Sequence, residues 1–124
     1  MRSEDFEVKD IRPKGMYGSG MVREDEGDRP RFDLLVIEDM PYEHQPLTRW
    51  AALLAKGAKK YSARNWEKAN SPEELERFKS SAFRHFMQWM ADEKDEDHLT
   101  MAWFNMMAAD CTEWKLNDKL PSDK

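Results

Sequence analysis

The sequence predicts an all-α protein with three main helices, and three observations support this class. Apolar residues recur at spacings of three and four in three separate segments, the pattern of helices with one buried face. The quartet Ser71-Pro72-Glu73-Glu74 offers an N-cap hydroxyl, proline at the first helical position and glutamate at the third. Alternation of apolar and polar residues, which would indicate strands, is nearly absent.

The first 31 residues have no sustained periodicity, and we expect an irregular arm there. Glycines and prolines interrupt this stretch, and residues 15–20 resemble a phosphate-cradling loop in composition only. A short apolar run at 32–37 follows. Prolines then interrupt a connection over residues 38–46. The first helix is predicted from about Leu47 or Thr48 to Lys60.

The second helix is predicted from Pro72 to about Ala91, and the third from Asp95 or Glu96 to roughly Leu116. Apolar spacing predicts the inward-facing residues of both helices: Leu75, Phe78, Ala82, Phe86 and Trp89 on the second, and Leu99, Ala102, Met106 and Ala109 on the third. The predicted organisation is an arm over 1–31, a helical domain over 32–118 and a tail over 119–124.

Composition limits the function classes that fit this chain. Its 124 residues make one domain, and 25 acidic against 20 basic side chains give a formal net charge of −5. Duplex DNA binding needs a basic surface, so this charge argues against it. No apolar run approaches a membrane span. The single cysteine, Cys111, excludes an internal disulfide and is expected to be a small packed side chain; the expected location is a reducing cytoplasm.

The acidic bend between the second and third helices, residues 92–98, is the first candidate site. It holds five carboxylates and His98, with His85 seven residues before it and Asn105 seven residues after His98. An antiparallel helix pair would bring the helix faces that carry these residues together. This predicts a pocket for Mg²⁺ or Mn²⁺ with one or two imidazoles at its rim. A solvated turn with N-cap chemistry explains the same residues, and the sequence leaves both interpretations open.

A basic and aromatic segment, residues 56–68, is the second candidate. It combines five basic side chains with Tyr61, Asn65 and Trp66. Aromatic rings stack on nucleobases and cations hold phosphates, so this mixture suits a nucleotide. A basic helix C-terminus followed by a loop whose Trp66 fills the core explains it equally well.

Several segments resemble motifs of a known family. Residues 19–23 (SGMVR) and 29–35 (RPRFDLL) resemble SGAVRD…KPRYDLIP; residues 57–61 (GAKKY) and 64–68 (RNWEK) resemble GAKKYGxRNWEKG; residues 81–85 (SAFRH), 96–99 (EDHL) and 104–105 (FN) resemble SALRHLxQW…EDHLAAVxFN. The family is the phage-borne dATP/dGTP diphosphohydrolase, N-terminal domain family, and the resemblance covers about residues 19–109. Ala69 replaces the usual glycine, and Ala91-Asp92 makes the bend more acidic than is typical.

The resemblance implies a bacteriophage or prophage protein, in the cytoplasm of an infected host, that acts on purine deoxynucleoside triphosphates. The implied MazG-like reaction attacks the α-phosphorus and releases pyrophosphate, with Mg²⁺ or Mn²⁺ as cofactor. We expect a homo-oligomer, because three helices cannot easily enclose a nucleotide. Glu73, Glu74 and Glu76 invite comparison with MazG carboxylates, but helix capping explains them.

The site residues that follow from the motifs and the bend fall into three roles. Catalytic residues are His85 and His98, which would position or deprotonate the attacking water. Metal ligands are Glu93, Glu96 and Asp97. Nucleotide-binding residues are Arg31, Lys60, Tyr61, Arg64, Asn65, Trp66, Arg84 and Asn105, and Asp33 is a further matched polar position.

Two other function classes compete with hydrolysis. A phage protein with a basic and aromatic loop could sequester a host nucleotide immune signal, of the cyclic dinucleotide or ADP-ribose type, without metal. A protein–protein adaptor is the third class. Bend carboxylates dispersed to solvent would favour either of these two alternatives.

Overall fold

The computed structural model describes residues 14–16, 18–24 and 27–119. This part of the chain is mostly helical, and its α-helices are α1, Pro46–Lys60, α2, Pro72–Met90, and α3, His98–Trp114. Short 3₁₀ turns cover Phe32–Leu35, Tyr42–His44 and Asn65–Lys68, and a π-helical turn, Lys115–Lys119, follows α3. The predicted three-helix class is confirmed. No helix in the described part has the length and apolar content needed to cross a membrane.

The chain divides into two units, Met1–Ile37 and Glu38–Lys124. In the first unit, the strands β1, Lys14–Met16, and β2, Val22–Glu24, pair antiparallel. The sequence analysis misses this pairing, since strands of three residues are too short to show alternation. The predicted boundary after residue 31 stays a prediction, and the predicted tail beyond Lys119 lies outside the described residues.

Helix α1 begins one or two residues before its predicted start and ends at Lys60 as predicted. Pro46 occupies the first turn, where its missing N–H costs no helical hydrogen bond. The buried Gln45 precedes it, and its Nε2 donates to the carbonyl of Met40 at 2.8 Å. This contact ties the connection over residues 38–45 to the start of the helix.

Helix α2 begins where its capping signal predicts. The Ser71 hydroxyl accepts a hydrogen bond from the Glu74 N–H at 3.2 Å, and Glu74 Oε1 accepts from the Asn70 N–H at 2.9 Å and from the Ser71 hydroxyl at 2.8 Å. The hydrogen bond from Asn70, followed by that from Ser71, lowers the pKa of the Glu74 carboxyl. The glutamate at the third position therefore serves the helix start, as the sequence interpretation has it.

Helix α3 begins at His98, later than the predicted Asp95 or Glu96. The reason is that Asp97 is the N-cap residue, and its Oδ1 accepts a hydrogen bond from the Thr100 N–H at 3.2 Å. Residues 91–97 form the bend, in which Asp92 adopts a left-handed φ of 65°.

Helices α2 and α3 pack against each other in antiparallel orientation. His85, near the end of α2, contacts His98 at the start of α3. At the other end of the pair, the charge of Lys115, just after α3, acts on the Glu74 carboxyl at the start of α2. Buried alanines lie on the same helix faces as the two histidines: Ala82 on α2, and Ala102 and Ala109 on α3. Alanines let the two helix axes approach closely.

The α2–α3 contact leaves large apolar side chains outside it. Four residues predicted to face inward are exposed, namely Phe86 (45%), Trp89 (42%), Leu99 (40%) and Met106 (60%). This part of the prediction is wrong because the contact centres on alanine and histidine, which turns the larger residues away. The α2 apolar face, defined here as Phe83, Phe86, Met87 and Met90, follows the spacing i, i+3, i+4, i+7 and is exposed to solvent.

Candidate functional site

A cavity of about 1240 Å³ lies in the second unit, where the end of α1, the loop after it, the start of α2 and part of α3 meet. Five residues predicted to bind nucleotide line this cavity: Lys60, Tyr61, Arg64, Asn65 and Trp66. Small-molecule sites typically measure roughly 300–1,000 Å³, so a nucleoside triphosphate has room here. The structure thus gathers the basic and aromatic segment around one concave surface.

The cations of the cavity outnumber its carboxylates. Its lining includes Lys56, Lys60, Arg64, Lys68 and Arg77 against Glu67, Glu74 and Glu96. Among the described residues, no carboxylate lies within ion-pair distance of Lys56, Lys60 or Arg77. These three cations are available to an anionic ligand, which makes the cavity suitable for phosphate groups.

Arg64 stands at the start of the 3₁₀ turn that forms one cavity wall. It adopts a left-handed φ of 63°, and its Nη1 donates to Glu67 Oε2 at 2.8 Å. A left-handed backbone is unfavourable for a side chain with a Cβ atom. The turn therefore holds this guanidinium at the cavity edge at some cost in backbone strain.

Aromatic residues give the cavity an apolar wall. The Trp66 ring packs edge-on against Phe104 of α3, with centroids 5.5 Å apart and an angle of 82° between the rings. The Lys60 ammonium lies 5.3 Å from the centroid of the Tyr61 ring. Trp66 thus packs against α3 and also lines the cavity, which combines the two sequence interpretations of this residue.

Two imidazoles form a buried pair where the end of α2 meets the start of α3. His85 Nδ1 and His98 Nδ1 lie 2.9 Å apart, and the residues are 7% and 2% exposed. His98 Nε2 lies 2.8 Å from Asp95 Oδ1. Since an ionised carboxylate only accepts hydrogen bonds, His98 Nε2 is the donor and carries a proton.

Burial and nearby charge act on this pair. Burial, together with the charges of Arg84 and His98, lowers the pKa of His85 and favours its neutral form. The hydrogen bond from His98 lowers the pKa of Asp95. A neutral His85 ring has a lone pair that can accept a proton or bind a cation.

Two groups of potential cation ligands include His98. One is His85, Glu96 and His98, and the other is Glu93, Asp95 and His98; in each group the ligand atoms lie within 4.8 Å of one another. Glu96 also lines the cavity, so the first group adjoins it. Imidazole nitrogen with carboxylate oxygen suits Mn²⁺ and related transition metals, whereas Mg²⁺ prefers oxygen ligands alone.

Asp97, predicted to bind metal, belongs to neither group. Its two oxygens accept hydrogen bonds from Arg49 Nε at 2.9 Å and Arg49 Nη2 at 2.6 Å. The guanidinium, helped by the hydrogen bonds from Thr100, lowers the pKa of Asp97 to about 2. Both carboxylate oxygens are therefore engaged in holding the start of α3 against α1.

Two other predicted nucleotide-binding residues, Arg84 and Asn105, do not line the cavity. Asn105 Nδ2 donates to the Met101 carbonyl within its own helix at 2.8 Å. Arg84 Nη1 donates to Gln88 Oε1 at 3.4 Å. Arg31, in the first unit, forms two hydrogen bonds with Asp33, at 3.0 and 2.7 Å.

Sequence reasoning missed three residues of this region. Lys56 lies in the basic segment, which carried a signal, but it was not assigned a role. Arg77 lines the cavity from the second turn of α2, where a lone basic residue has no distinctive pattern. Arg49 precedes its partner Asp97 by 48 residues, so no local spacing could reveal the pair.

The structure is that of a helical protein in which a cation-rich cavity, large enough for a nucleotide, adjoins a buried histidine pair with carboxylates beside it. The family described as dATP/dGTP diphosphohydrolase, N-terminal, matches residues 19–123, and the chain belongs to that family. This match confirms the resemblance drawn from the motifs. No curated protein and no solved structure matches the chain.

Proposed function

We propose that the protein is a metal-dependent hydrolase that converts purine deoxynucleoside triphosphates to a monophosphate and pyrophosphate. The observation that carries the proposal is the position of Glu96, which lines the cavity and also belongs to the group with His85 and His98. A phosphate held by the cavity cations would lie near this group. The family description supports the reaction and the substrate class.

The cavity residues take separate roles in this proposal. Lys60 and Arg64 neutralise the triphosphate, with Lys56 and Arg77 as further cations. Trp66 or Tyr61 stacks on the purine. Arg84 and Asn105 take no part in this proposal, because they do not line the cavity. Arg31 lies in the first unit and stays a predicted nucleotide-binding residue.

In the reaction, water attacks the α-phosphorus and the bond from that phosphorus to the α,β-bridging oxygen breaks. Pyrophosphate leaves with that oxygen. Glu96 and the imidazole pair would act on the attacking water, either as proton acceptors or by holding a cation beside it. A divalent cation, when bound, neutralises charge on the phosphate oxygens.

We also propose that two or more copies assemble through the α2 apolar face. Its four side chains, Phe83, Phe86, Met87 and Met90, are 66%, 45%, 53% and 63% exposed, whereas the buried apolar residues of the described part are all alanines. Such a face is costly to leave in water. Light scattering should show an oligomer that Phe83→Ser with Met90→Ser dissociates, and a monomeric wild type would contradict the assembly.

The hydrolase proposal is tested by incubating the protein with dNTPs, NTPs and cyclic dinucleotides, with Mn²⁺ or with EDTA, and separating the products by ion exchange. We expect metal-dependent conversion of dATP or dGTP to the monophosphate. Lys60→Gln should reduce turnover at least tenfold. Lys59→Gln, which removes a neighbouring charge outside the cavity lining, should leave it unchanged. Equal loss in both variants would contradict the assigned phosphate site.

Sequestration of a nucleotide signal is the second candidate, and one observation favours it. The bend carboxylates are largely exposed, with side chains of Asp92 and Asp95 at 82% and 68%. In the same experiment, an intact nucleotide that co-elutes with the protein would contradict hydrolysis and support sequestration.

We further propose a bacteriophage source and action in the cytoplasm of the infected host.

A further inference from the structure

We infer that His85, Glu96 and His98 form a binding site for one transition-metal ion, and that this site selects such an ion over Mg²⁺. The inference deepens the proposed function by naming the class of ion and the ligands. Of the two roles open to the imidazoles in that proposal, it selects direct binding of the cation. Its test uses no nucleotide, so the metal site and the hydrolase can fail separately.

The positions of the imidazole nitrogens support a shared ion. His98 Nε2 donates to Asp95 at 2.8 Å, which leaves the lone pair of a neutral ring on Nδ1. That Nδ1 lies 2.9 Å from Nδ1 of His85. Without an ion, His85 Nδ1 donates a hydrogen bond to His98 Nδ1 across this distance. Adjacent ligands of an octahedral ion bound at about 2.1 Å are about 3.0 Å apart, so an ion that replaces the shared proton would need little movement of the two rings.

The carboxylate of Asp95, which lies behind His98, also supports a metal ion at this place. A metal-binding histidine commonly donates its other ring N–H to a carboxylate, which fixes the tautomer and the ring orientation. Asp95 has this position relative to His98. The arrangement gives Asp95 a positioning role rather than a place among the ligands.

The two possible ligand groups differ in how firmly their side chains are held. The alternative group, Glu93, Asp95 and His98, would use two exposed carboxylates, and Glu93 already accepts a hydrogen bond from Gln88 at 3.1 Å. The group with His85 draws its imidazoles from two packed helices, both buried. Ligands fixed by helix packing lose little freedom on binding, which favours this group.

The inference is tested with EDTA-treated protein titrated with CoCl₂, MnCl₂ and MgCl₂ by calorimetry, with the visible spectrum of Co²⁺ as a report of nitrogen ligands. We expect one Co²⁺ per chain, bound at least tenfold more tightly than Mg²⁺. His85→Gln and Glu96→Gln should each weaken Co²⁺ binding at least tenfold. Asp95→Asn should weaken it by about tenfold, as loss of an outer carboxylate does.

Matched controls make the result specific. His44→Gln removes the exposed histidine of the connection before α1 and should leave Co²⁺ binding unchanged. Circular dichroism checks that each variant keeps its helical fold. If His85→Gln unfolds the protein, Glu96→Gln still tests the site, because it alters an exposed side chain and should keep the fold. Equal affinity for Co²⁺ and Mg²⁺, or loss of binding in Glu93→Gln but not in Glu96→Gln, would overturn the inference.

Discussion

The ion pair between Asp97 and Arg49 has a stabilising effect that can be calculated and measured. Its hydrogen bonds lower the pKa of Asp97 from its usual 3.8 to about 2. At about 1.36 kcal/mol per pH unit, a difference of about 1.8 units corresponds to at most about 2.4 kcal/mol. The Asp97 side chain is 39% exposed, so solvent screening reduces this value. We expect about 1 kcal/mol from the ion pair.

Two substitutions separate the ion pair from the helix cap at the same residue. Asparagine caps helices as well as aspartate does, so Asp97→Asn should lose only the ion pair, about 1 kcal/mol of the free energy of unfolding. Asp97→Ala should lose the cap as well, a further ~1 kcal/mol. Adding Arg49→Gln to the Asp97→Asn variant should lower the free energy of unfolding little further, because the two residues share one interaction.

The pH dependence has a definite sign. Since the pKa of Asp97 is lower in the folded state, its stabilisation is complete above about pH 4 and is lost as the pH falls through about 2. The free energies of unfolding of wild type and Asp97→Asn, measured in urea, should therefore differ by a constant amount from pH 5 to 8. The difference should shrink toward zero as the pH approaches 2. Unchanged stability of Asp97→Asn at pH 7, with loss of Co²⁺ binding, would refute this reasoning and restore Asp97 as a metal ligand.

Three further predictions follow from the backbone, the caps and the cysteine. Arg64→Gly should change the free energy of unfolding by no more than about 1 kcal/mol, because glycine relieves the left-handed φ but adds conformational entropy to the unfolded state. It should also weaken nucleotide binding, measured by titration. The control Asp92→Gly, at a residue with φ 65° outside the cavity, should leave nucleotide binding unchanged. Ser71→Ala should lose about 1 kcal/mol in urea unfolding, and a loss no larger than in the exposed mid-helix control Ser80→Ala would contradict the cap. Burial raises the pKa of Cys111, so iodoacetamide at pH 8 should label native protein more slowly than urea-unfolded protein, and equal rates would contradict its packing.

The features that the sequence predicts well are local ones. The start of α2 follows from Ser71, Pro72 and Glu74, because a cap is made within four residues. The basic and aromatic segment gathers at one cavity because a turn of consecutive residues, Asn65–Lys68, follows α1 closely. In both cases sequence neighbours are also neighbours in space.

The features that the sequence does not predict depend on distant partners. Asp97 is indistinguishable from the other bend carboxylates until Arg49 is placed beside it. The predicted apolar stripe failed at Phe86 and Trp89, because periodicity shows that a face is apolar without showing what covers it. The pairing of His85 with His98 follows from antiparallel packing, which the sequence analysis expected, but its 2.9 Å distance does not.

The alanines between α2 and α3 set the distance between the two helices at the histidine pair. Ala82 lies three residues before His85 and Ala102 four residues after His98, so the smallest side chains of the contact flank the imidazole pair on both helices. Adding even two methyl groups at Ala102 would force the helix backbones apart. The distance between the two ring nitrogens thus depends on alanine side chains, whose methyl groups have no donor, acceptor or titratable atom of their own.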